Sequence, residues 1–148
     1  MQFVPSNPAF EARVRDSFAR QAAMRLIGAQ LVECLPGHCT IELPVRADLT
    51  QQHGLVHGGI IGMIGDSAGG YAAFSLMPAD ASVLTVEYKL NLLAPARGDH
   101  MVAVGTVIKP GRTLSVVRAD IFARDQGRAT LVATMQQTVM TMQGKKDE

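Results

Sequence analysis

Tryptophan is absent from this 148-residue sequence, which has only two cysteines, 5% aromatic residues and a formal net charge of +1. The two cysteines, Cys34 and Cys39, are too few for a disulfide framework and lack a second pair with which to bind zinc. Fourteen Lys and Arg stand against 13 Asp and Glu, and the basic residues are scattered along the chain. Because phosphate backbones are bound by clustered positive charge, we expect no nucleic-acid partner. We also expect no metal, and the cysteine content suits a reducing cytoplasm.

Neither a secretory leader nor a membrane span is expected. Residues 1–10 lack the basic start and the apolar stretch of a signal peptide. The most apolar segment, residues 58–77, has membrane-spanning length but includes Asp66 and six glycines, whereas spanning helices are rich in Leu, Ile and Val. No linker divides the chain, so we predict one domain with its own core. Its parts are a helical segment at 1–25, a main body at 26–143 and a tail at 144–148.

Two helices are predicted from the spacing of the apolar residues. Apolar side chains recur every four residues between Pro8 and Met24, as on one face of an amphipathic helix. A second helix is predicted from about His57 to Leu76, where Pro78 stops it. Each helical glycine costs about 0.5–1 kcal/mol relative to alanine, so we infer that another element approaches this helix closely. The small residues recur at steps of three and four: Gly62, Gly65, Gly69 and Ala73.

Strand-like patterns occupy most of the remaining sequence. Short turns containing glycine or proline connect most of them, which demands antiparallel pairing. In one long strand Val86, Tyr88 and Leu90 alternate with Thr85, Glu87 and other polar residues, which predicts one apolar and one polar face. We therefore predict an α+β domain in which five or six antiparallel strands cover the long helix. The predicted strands are residues 26–35, 39–44, 82–93, 99–109, 113–124 and 128–141.

The segment from Gly65 to Gly69 matches the G-x-S-x-G motif of serine hydrolases, with Ser67 as the nucleophile. Its context is unfavourable, because only eight residues separate the upstream His57 from Gly65. The only downstream histidine, His100, is followed by 48 residues, too few for the rest of an α/β-hydrolase sheet. A Ser67 hydrolase is therefore the weaker alternative.

The predicted start of the long helix favours a different chemistry. A helix beginning at His57, Gly58 and Gly59 presents unpaired N–H groups and the positive end of its dipole, where an oxyanion can bind. Asp66 lies nine residues beyond His57, so the two project from opposite sides of the helix, about 13 Å apart along it. If both act in catalysis, Asp66 must meet the helix start of a second subunit.

The ordered motifs of the chain are similar to those of one enzyme family. Over residues 26–141 the chain resembles the hotdog-fold acyl-CoA thioesterases of the PaaI-like (phenylacetate-pathway) group. The resemblance implies that residues 26–143 form a hotdog domain, a helix wrapped by an antiparallel sheet. It also implies dimers that often pair into tetramers, and hydrolysis of a CoA thioester without metal or any cofactor beyond the substrate's own coenzyme A. The motifs are His57-Gly58-Gly59, Asp66 with Ala68, Thr85-Val86-Glu87, Leu93-Ala94-Pro95-Ala96 with Gly98, and Gly111-Arg112-Thr113.

The resemblance assigns catalytic roles to five residues. Asp66 becomes the carboxylate that activates water or attacks the thioester carbonyl, and Gly58 the backbone donor that polarises that carbonyl. Thr85 takes the position of a hydroxyl that orients water beside Asp66, and His57 positions the thioester or holds the loop. Gln51 stands where PaaI-like members commonly carry Asn. The related 4-hydroxybenzoyl-CoA and dihydroxynaphthoyl-CoA thioesterases have Gln there, usually with Glu as the carboxylate.

A second set of residues is expected to bind the substrate. Lys109, Arg112 and Arg97 flank turns at the ends of long strands and are candidates for the CoA phosphates. The acyl group is expected to be aromatic or of medium length. A protein that binds acyl-CoA without hydrolysing it is the remaining alternative. The full set implied by the resemblance is Gly59, Leu93, Pro95, Arg97, Lys109, Gly111, Arg112 and Thr113.

Overall fold

The computed structural model describes residues 3–147, which contain three α-helices and one six-stranded sheet. The helices are α1 (Phe10–Arg20), α2 (Ala22–Ile27) and α3 (Gly58–Phe74), and a single 3₁₀ turn spans Ala47–Leu49. The strands are β1 (Gln30–Leu35), β2 (His38–Pro44), β3 (Ser82–Leu92), β4 (His100–Lys109), β5 (Leu114–Asp125) and β6 (Arg128–Met142). All neighbours are antiparallel, in the order β1-β2-β4-β5-β6-β3. The predicted α+β architecture is confirmed.

The N-terminal helical segment differs from the prediction. One helix was expected over residues 8–24, but the backbone of Gln21 is extended (φ −74°, ψ 98°) and separates α1 from α2. Leu26 and Ile27, which were expected to begin a strand, are instead the last two residues of α2. Gly28, with φ 81°, ends that helix in the left-handed conformation that glycine adopts most easily.

The sheet wraps α3 at very short range. A Cβ atom at Gly105 of β4 would lie 2.2 Å from the backbone oxygen of Ala68, and one at Gly65 would lie 3.2 Å from Ile121 and from Met135. The close approach inferred from the glycine spacing is therefore present. Because the interior is this tightly packed, α3 is held at one fixed height and rotation relative to the sheet.

The C-terminal end of α3 is held by Arg13 of α1. The guanidinium of Arg13 donates hydrogen bonds to the backbone oxygens of Phe74 (3.0 Å), Met77 (2.8 Å) and Pro78. It also lies 4.1 Å from the centre of the Phe74 ring. Burial lowers the pKa of Arg13, although a guanidinium retains its charge at neutral pH. The positive charge of Arg13 is favourable at this position, because the unpaired carbonyls at the C-terminal end of a helix carry partial negative charge.

Strand β3 does not keep the regular alternation predicted for it. A β-bulge between Thr85 and Glu87 shifts its register against β6. As a result Thr85 turns towards α3 on the same side as Tyr88, while Val86 is 54% exposed. The prediction that Thr85 lies on the face opposite Tyr88 was therefore wrong. The extra residue re-aims a side chain, a common use of bulges near functional sites.

Candidate active site

The first turn of α3 leaves one backbone donor free. His57 caps the helix, and its Nδ1 accepts the N–H of Gly59 at 2.9 Å. The backbone oxygen of His57 accepts the N–H groups of Ile60 (2.9 Å) and Ile61 (3.2 Å). Within residues 3–147, the Gly58 N–H is therefore the only amide of this turn without an acceptor. It lies at the positive end of the helix dipole, where it can stabilise an oxyanion.

A cavity of about 380 Å³ opens beside this donor. It brings together four residues that the sequence assigned to catalysis or substrate binding, namely Gln51, Gly58, Leu93 and Pro95. The side-chain oxygen of Gln51 accepts the backbone N–H of His53, so the Gln51 amide nitrogen is the group left to act as a donor. The lining of the cavity thus combines the Gly58 N–H and the Gln51 side chain with apolar residues.

Asp66 lies half-buried in the middle of α3, and only one of its carboxylate oxygens is held. Its Oδ1 accepts the Thr85 hydroxyl at 2.7 Å and the side-chain amide of Gln137 at 2.5 Å. Its Oδ2 has no hydrogen-bond partner among the described residues. Thr85, predicted to orient water beside Asp66, lies next to that carboxylate and donates its hydroxyl hydrogen to it. The carboxylate is therefore fixed through one oxygen and available through the other.

A second cavity, of about 410 Å³, lies beside Asp66 and has a mostly polar lining. Within it the hydroxyls of Ser17 and Tyr71 are 3.2 Å apart, and burial raises the pKa of Tyr71. This cavity shares no lining residue with the one beside Gly58. Its lining residues are Ser17, Gln21, Asp66, Ser67, Gly70, Tyr71, Val83, Leu84, Thr85 and Asp147.

The remaining predicted binding residues lie at two ends of the molecule. Arg97 is exposed in the connection that follows β3, near the start of α3. Gly111 and Arg112 line a third cavity, of about 340 Å³, at the C-terminal end of α3, and Lys109 and Thr113 flank the same turn. About 24 Å of helix separates the two ends of α3. One chain therefore does not gather all these residues around one site.

Gln137 is the functional candidate that the sequence reasoning missed. Glutamine in a strand is ordinarily an exposed residue, so its type alone gave no signal. A signal was present in the alternation of β6, because Gln137 falls in step with the apolar Met135 and Val139. That register places an amide on the face that packs against α3.

The serine-hydrolase alternative is contradicted by the position of Ser67. The motif from Gly65 to Gly69 lies in the interior of α3, whereas a nucleophile elbow is a sharp turn between a strand and a helix. Ser67 is only 8% exposed, and its hydroxyl donates to the side-chain oxygen of Gln21 at 3.2 Å.

Between residues 3 and 147, no three His, Cys, Asp or Glu side chains are grouped so that they could bind a metal ion. Over the same residues, no helix has the combination of length and hydropathy that crossing a bilayer requires.

A long helix wrapped by an antiparallel sheet is the architecture of the hotdog class of proteins. A solved thioesterase family protein from Silicibacter pomeroyi superposes with a TM-score of 0.90 at 47% identity, covering 91% of this chain and 99% of that one. The PaaI protein of the E. coli phenylacetic acid degradation operon shares the fold, with a TM-score of 0.82 at 20% identity and coverage of 93% and 96%.

Sequence comparison assigns the family. Residues 53–130 match the profile of the Thioesterase superfamily, so the chain belongs to that superfamily. A protein of Saccharolobus solfataricus, provisionally named an esterase, is 30% identical over 122 residues, which are 82% of this chain and 79% of that one. A similarly named protein of Halobacterium salinarum is 31% identical over 103 residues, or 66% of this chain and 68% of that protein. The predicted family is confirmed.

Proposed function

We propose that this protein is an acyl-CoA thioesterase that hydrolyses a CoA thioester, with an aromatic or medium-chain acyl group, to the free acid and CoA. The observation that carries the proposal is the half-buried Asp66 carboxylate, held through Oδ1 while Oδ2 is free beside a cavity. Orienting a carboxylate in this way suits it for general-base or nucleophilic catalysis. Membership of the Thioesterase superfamily supports the same reaction class.

The reaction is balanced by a single proton that passes through Asp66. Oδ2 takes a proton from water as the water oxygen adds to the thioester carbonyl. The Gly58 N–H and the helix dipole stabilise the resulting oxyanion. When the intermediate collapses, the C–S bond breaks and the proton returns from Asp66 to the sulfur of CoA. Direct attack by Asp66 on the carbonyl, which gives a mixed anhydride and releases CoA thiolate, is the second route. In a single turnover in isotope-labelled water, label found on Asp66 with an unlabelled product acid would indicate this route, with the anhydride opened by water at the Asp66 carboxyl carbon.

The two proposed halves of the site cannot meet within one chain. Asp66 and Gly58 are eight residues apart on a straight helix, about 12 Å along its axis. They also open into separate cavities. Because the donor must contact the same carbonyl that the activated water attacks, the complete site requires a second copy of the chain.

Strand β3 offers the surface through which two copies could join. It forms one edge of the sheet, and it exposes Leu84, Val86 and Leu92. A long exposed edge with apolar side chains is a template for pairing with another strand. Antiparallel pairing of two β3 strands would place a twofold axis near Glu87, the middle residue of Ser82–Leu92.

That axis would bring the two halves together. Gly62 lies midway between Gly58 and Asp66, and the atom nearest to a Cβ built there is Oη of Tyr88, the residue after the midpoint of β3. Rotation about this point reverses α3, so Asp66 comes to the level of Gly58 of the partner subunit. The turn between β4 and β5, which carries Lys109 and Arg112, lies near the C-terminal end of α3. In the dimer this turn therefore lies towards the same end as Arg97 of the partner subunit. We propose that these cations bind the CoA phosphates.

The experiment is a panel of aromatic and medium-chain CoA esters, with release of free thiol as the readout. Asp66→Asn should lower kcat by about 10²- to 10⁴-fold, the usual contribution of a general base. Ser67→Ala should lose much less, because Ser67 donates to Gln21 and not to a reacting group. Thiol release from no ester, with binding retained, would favour the non-catalytic alternative. A larger loss in Ser67→Ala than in Asp66→Asn would refute the mechanism.

A further inference from the structure

Gln137 is an amide placed where apolar side chains are expected. It is 1% exposed on the inward face of β6, between Met135 and Val139, which are equally buried. An amide removed from water is costly unless its polar atoms find partners. Its hydrogen bonds therefore indicate what the residue does.

All hydrogen bonds donated by the Gln137 side chain go to Asp66 and Thr85. The Nε2 atom lies 2.5 Å from Asp66 Oδ1, 3.1 Å from the Asp66 backbone oxygen and 3.0 Å from Thr85 Oγ1. The Oε1 atom is buried and has no hydrogen-bond partner among the described residues. A purely structural amide would be expected to satisfy both ends, whereas this one leaves its acceptor unpaired to direct its donors at Asp66.

The space for this amide is provided by Gly69. A Cβ atom at Gly69 would lie only 2.0 Å from Gln137 Oε1 and 3.1 Å from its Cδ. Oε1 therefore occupies the space that a side chain at position 69 would need, and the amide reaches Asp66 through Nε2. The glycine and the glutamine are matched in shape.

We propose that Gln137, seated against Gly69, is a positioning residue for the thioesterase reaction. Together with Thr85 it holds Asp66 through Oδ1, so that Oδ2 is the oxygen that acts on water. The proposal rests on the proposed function, because it requires that Asp66 be the carboxylate that acts on water. It assigns no reaction step to Gln137 itself. It assigns the orientation of a carboxylate that would otherwise rotate about its χ2 angle.

The first test replaces the amide by an apolar group of similar length. Gln137→Met should lower kcat by about tenfold to a hundredfold, the range expected for losing a hydrogen bond to a charged group, with KM little changed. Gln136→Met is the matched control, because the neighbouring side chain is exposed on the opposite face of β6. That variant should retain wild-type kcat. A wild-type kcat in a folded Gln137→Met protein would overturn the proposal.

The second test moves the amide without removing it. Gly69→Ala should lower kcat in the same range, because its methyl group displaces Oε1. If Gln137→Met fails to fold, Gly69→Ala still decides: a folded Gly69→Ala protein with unchanged kcat would overturn the proposal.

A double-mutant cycle separates positioning from a general structural role. If Gln137 and Thr85 act through the same carboxylate, the kcat losses of Gln137→Met and Thr85→Val should not multiply in the double variant. Losses that multiply fully would refute the shared role. The outcome is also distinguishable from failure of the proposed function. Thiol release from no ester by the wild-type protein would refute the function, and an active Asp66→Asn variant would refute the catalytic role of Asp66. An inactive Asp66→Asn variant beside a fully active Gln137→Met would refute the positioning role alone.

Discussion

The free N–H donor of Gly58 can be removed, by substitution with proline, without disturbing the helix that carries it. Gly58 is the first residue of α3, a position where proline is favoured because it lacks only an N–H that no helical carbonyl accepts. The preceding His57 has φ −61° and ψ 136°, the extended conformation required before proline. The nearest obstacle to a Cβ is the Cδ1 of Leu92 at 3.1 Å, on a side chain that is 59% exposed and free to move.

Gly58→Pro should therefore lower kcat by about 10²- to 10³-fold, the usual loss when one oxyanion donor is removed. The free energy of unfolding should change by no more than about 1 kcal/mol, because the backbone geometry is compatible with proline. Gly58→Ala is the control, since it adds the same obstacle near Leu92 but keeps the N–H. Thiol release gives kcat, and urea unfolding gives stability. Equal activity in the two variants would refute the role of the Gly58 amide.

Mixing this variant with Asp66→Asn tests whether the site is shared. Equal amounts of the two inactive subunits, allowed to exchange, form mixed dimers in half of the population. Each mixed dimer has one site with both defects and one intact site, so about a quarter of the wild-type activity per subunit should return. If each chain held its own complete site, mixing would restore nothing, and that result would refute the proposed dimer site.

Two further changes test the scaffold. Arg13→Ala should lower the free energy of unfolding by about 2–3 kcal/mol, because the carbonyls at the end of α3 lose a charged donor. The control, Arg15→Ala, removes an exposed ion pair with Glu11 and should change the free energy of unfolding by under about 1 kcal/mol. Equal effects of the two variants in urea unfolding would contradict this account. Deleting Val86, the unpaired residue of the bulge, should leave Thr85 opposite Val139 and Glu87 opposite Thr138, so Thr85 should still face α3 and kcat should fall by less than about tenfold while circular dichroism stays native. A larger loss of kcat would contradict this register.

The overall architecture could be predicted because its signals are local. The helix start at His57 follows from glycines after a polar loop, and its end precedes Pro78. The glycine spacing indicated a close contact before any partner was known. Resemblance to a family then indicated roles for Asp66 and Gly58 that helix geometry alone left open.

What the sequence did not predict depends on pairing between distant segments. The bulge at Val86 exists only in register with β6, and the strand residues around it read as ordinary alternation. Gln137 and Gly69 are 68 positions apart, and their contact depends on how β6 packs against α3. The break at Gln21 lies within an apolar pattern that continues across it, so periodicity could not locate it.

One rigid helix carries both Gly58 and Asp66, and the sheet holds that helix too tightly for either residue to adjust alone. In the proposed dimer, sliding one helix along its antiparallel neighbour would offset both carboxylate–amide pairs by the same distance. The two sites would therefore share a single mechanical variable, the register between subunits. A compound that wedges between the helices at one site should impair turnover at the other without entering it.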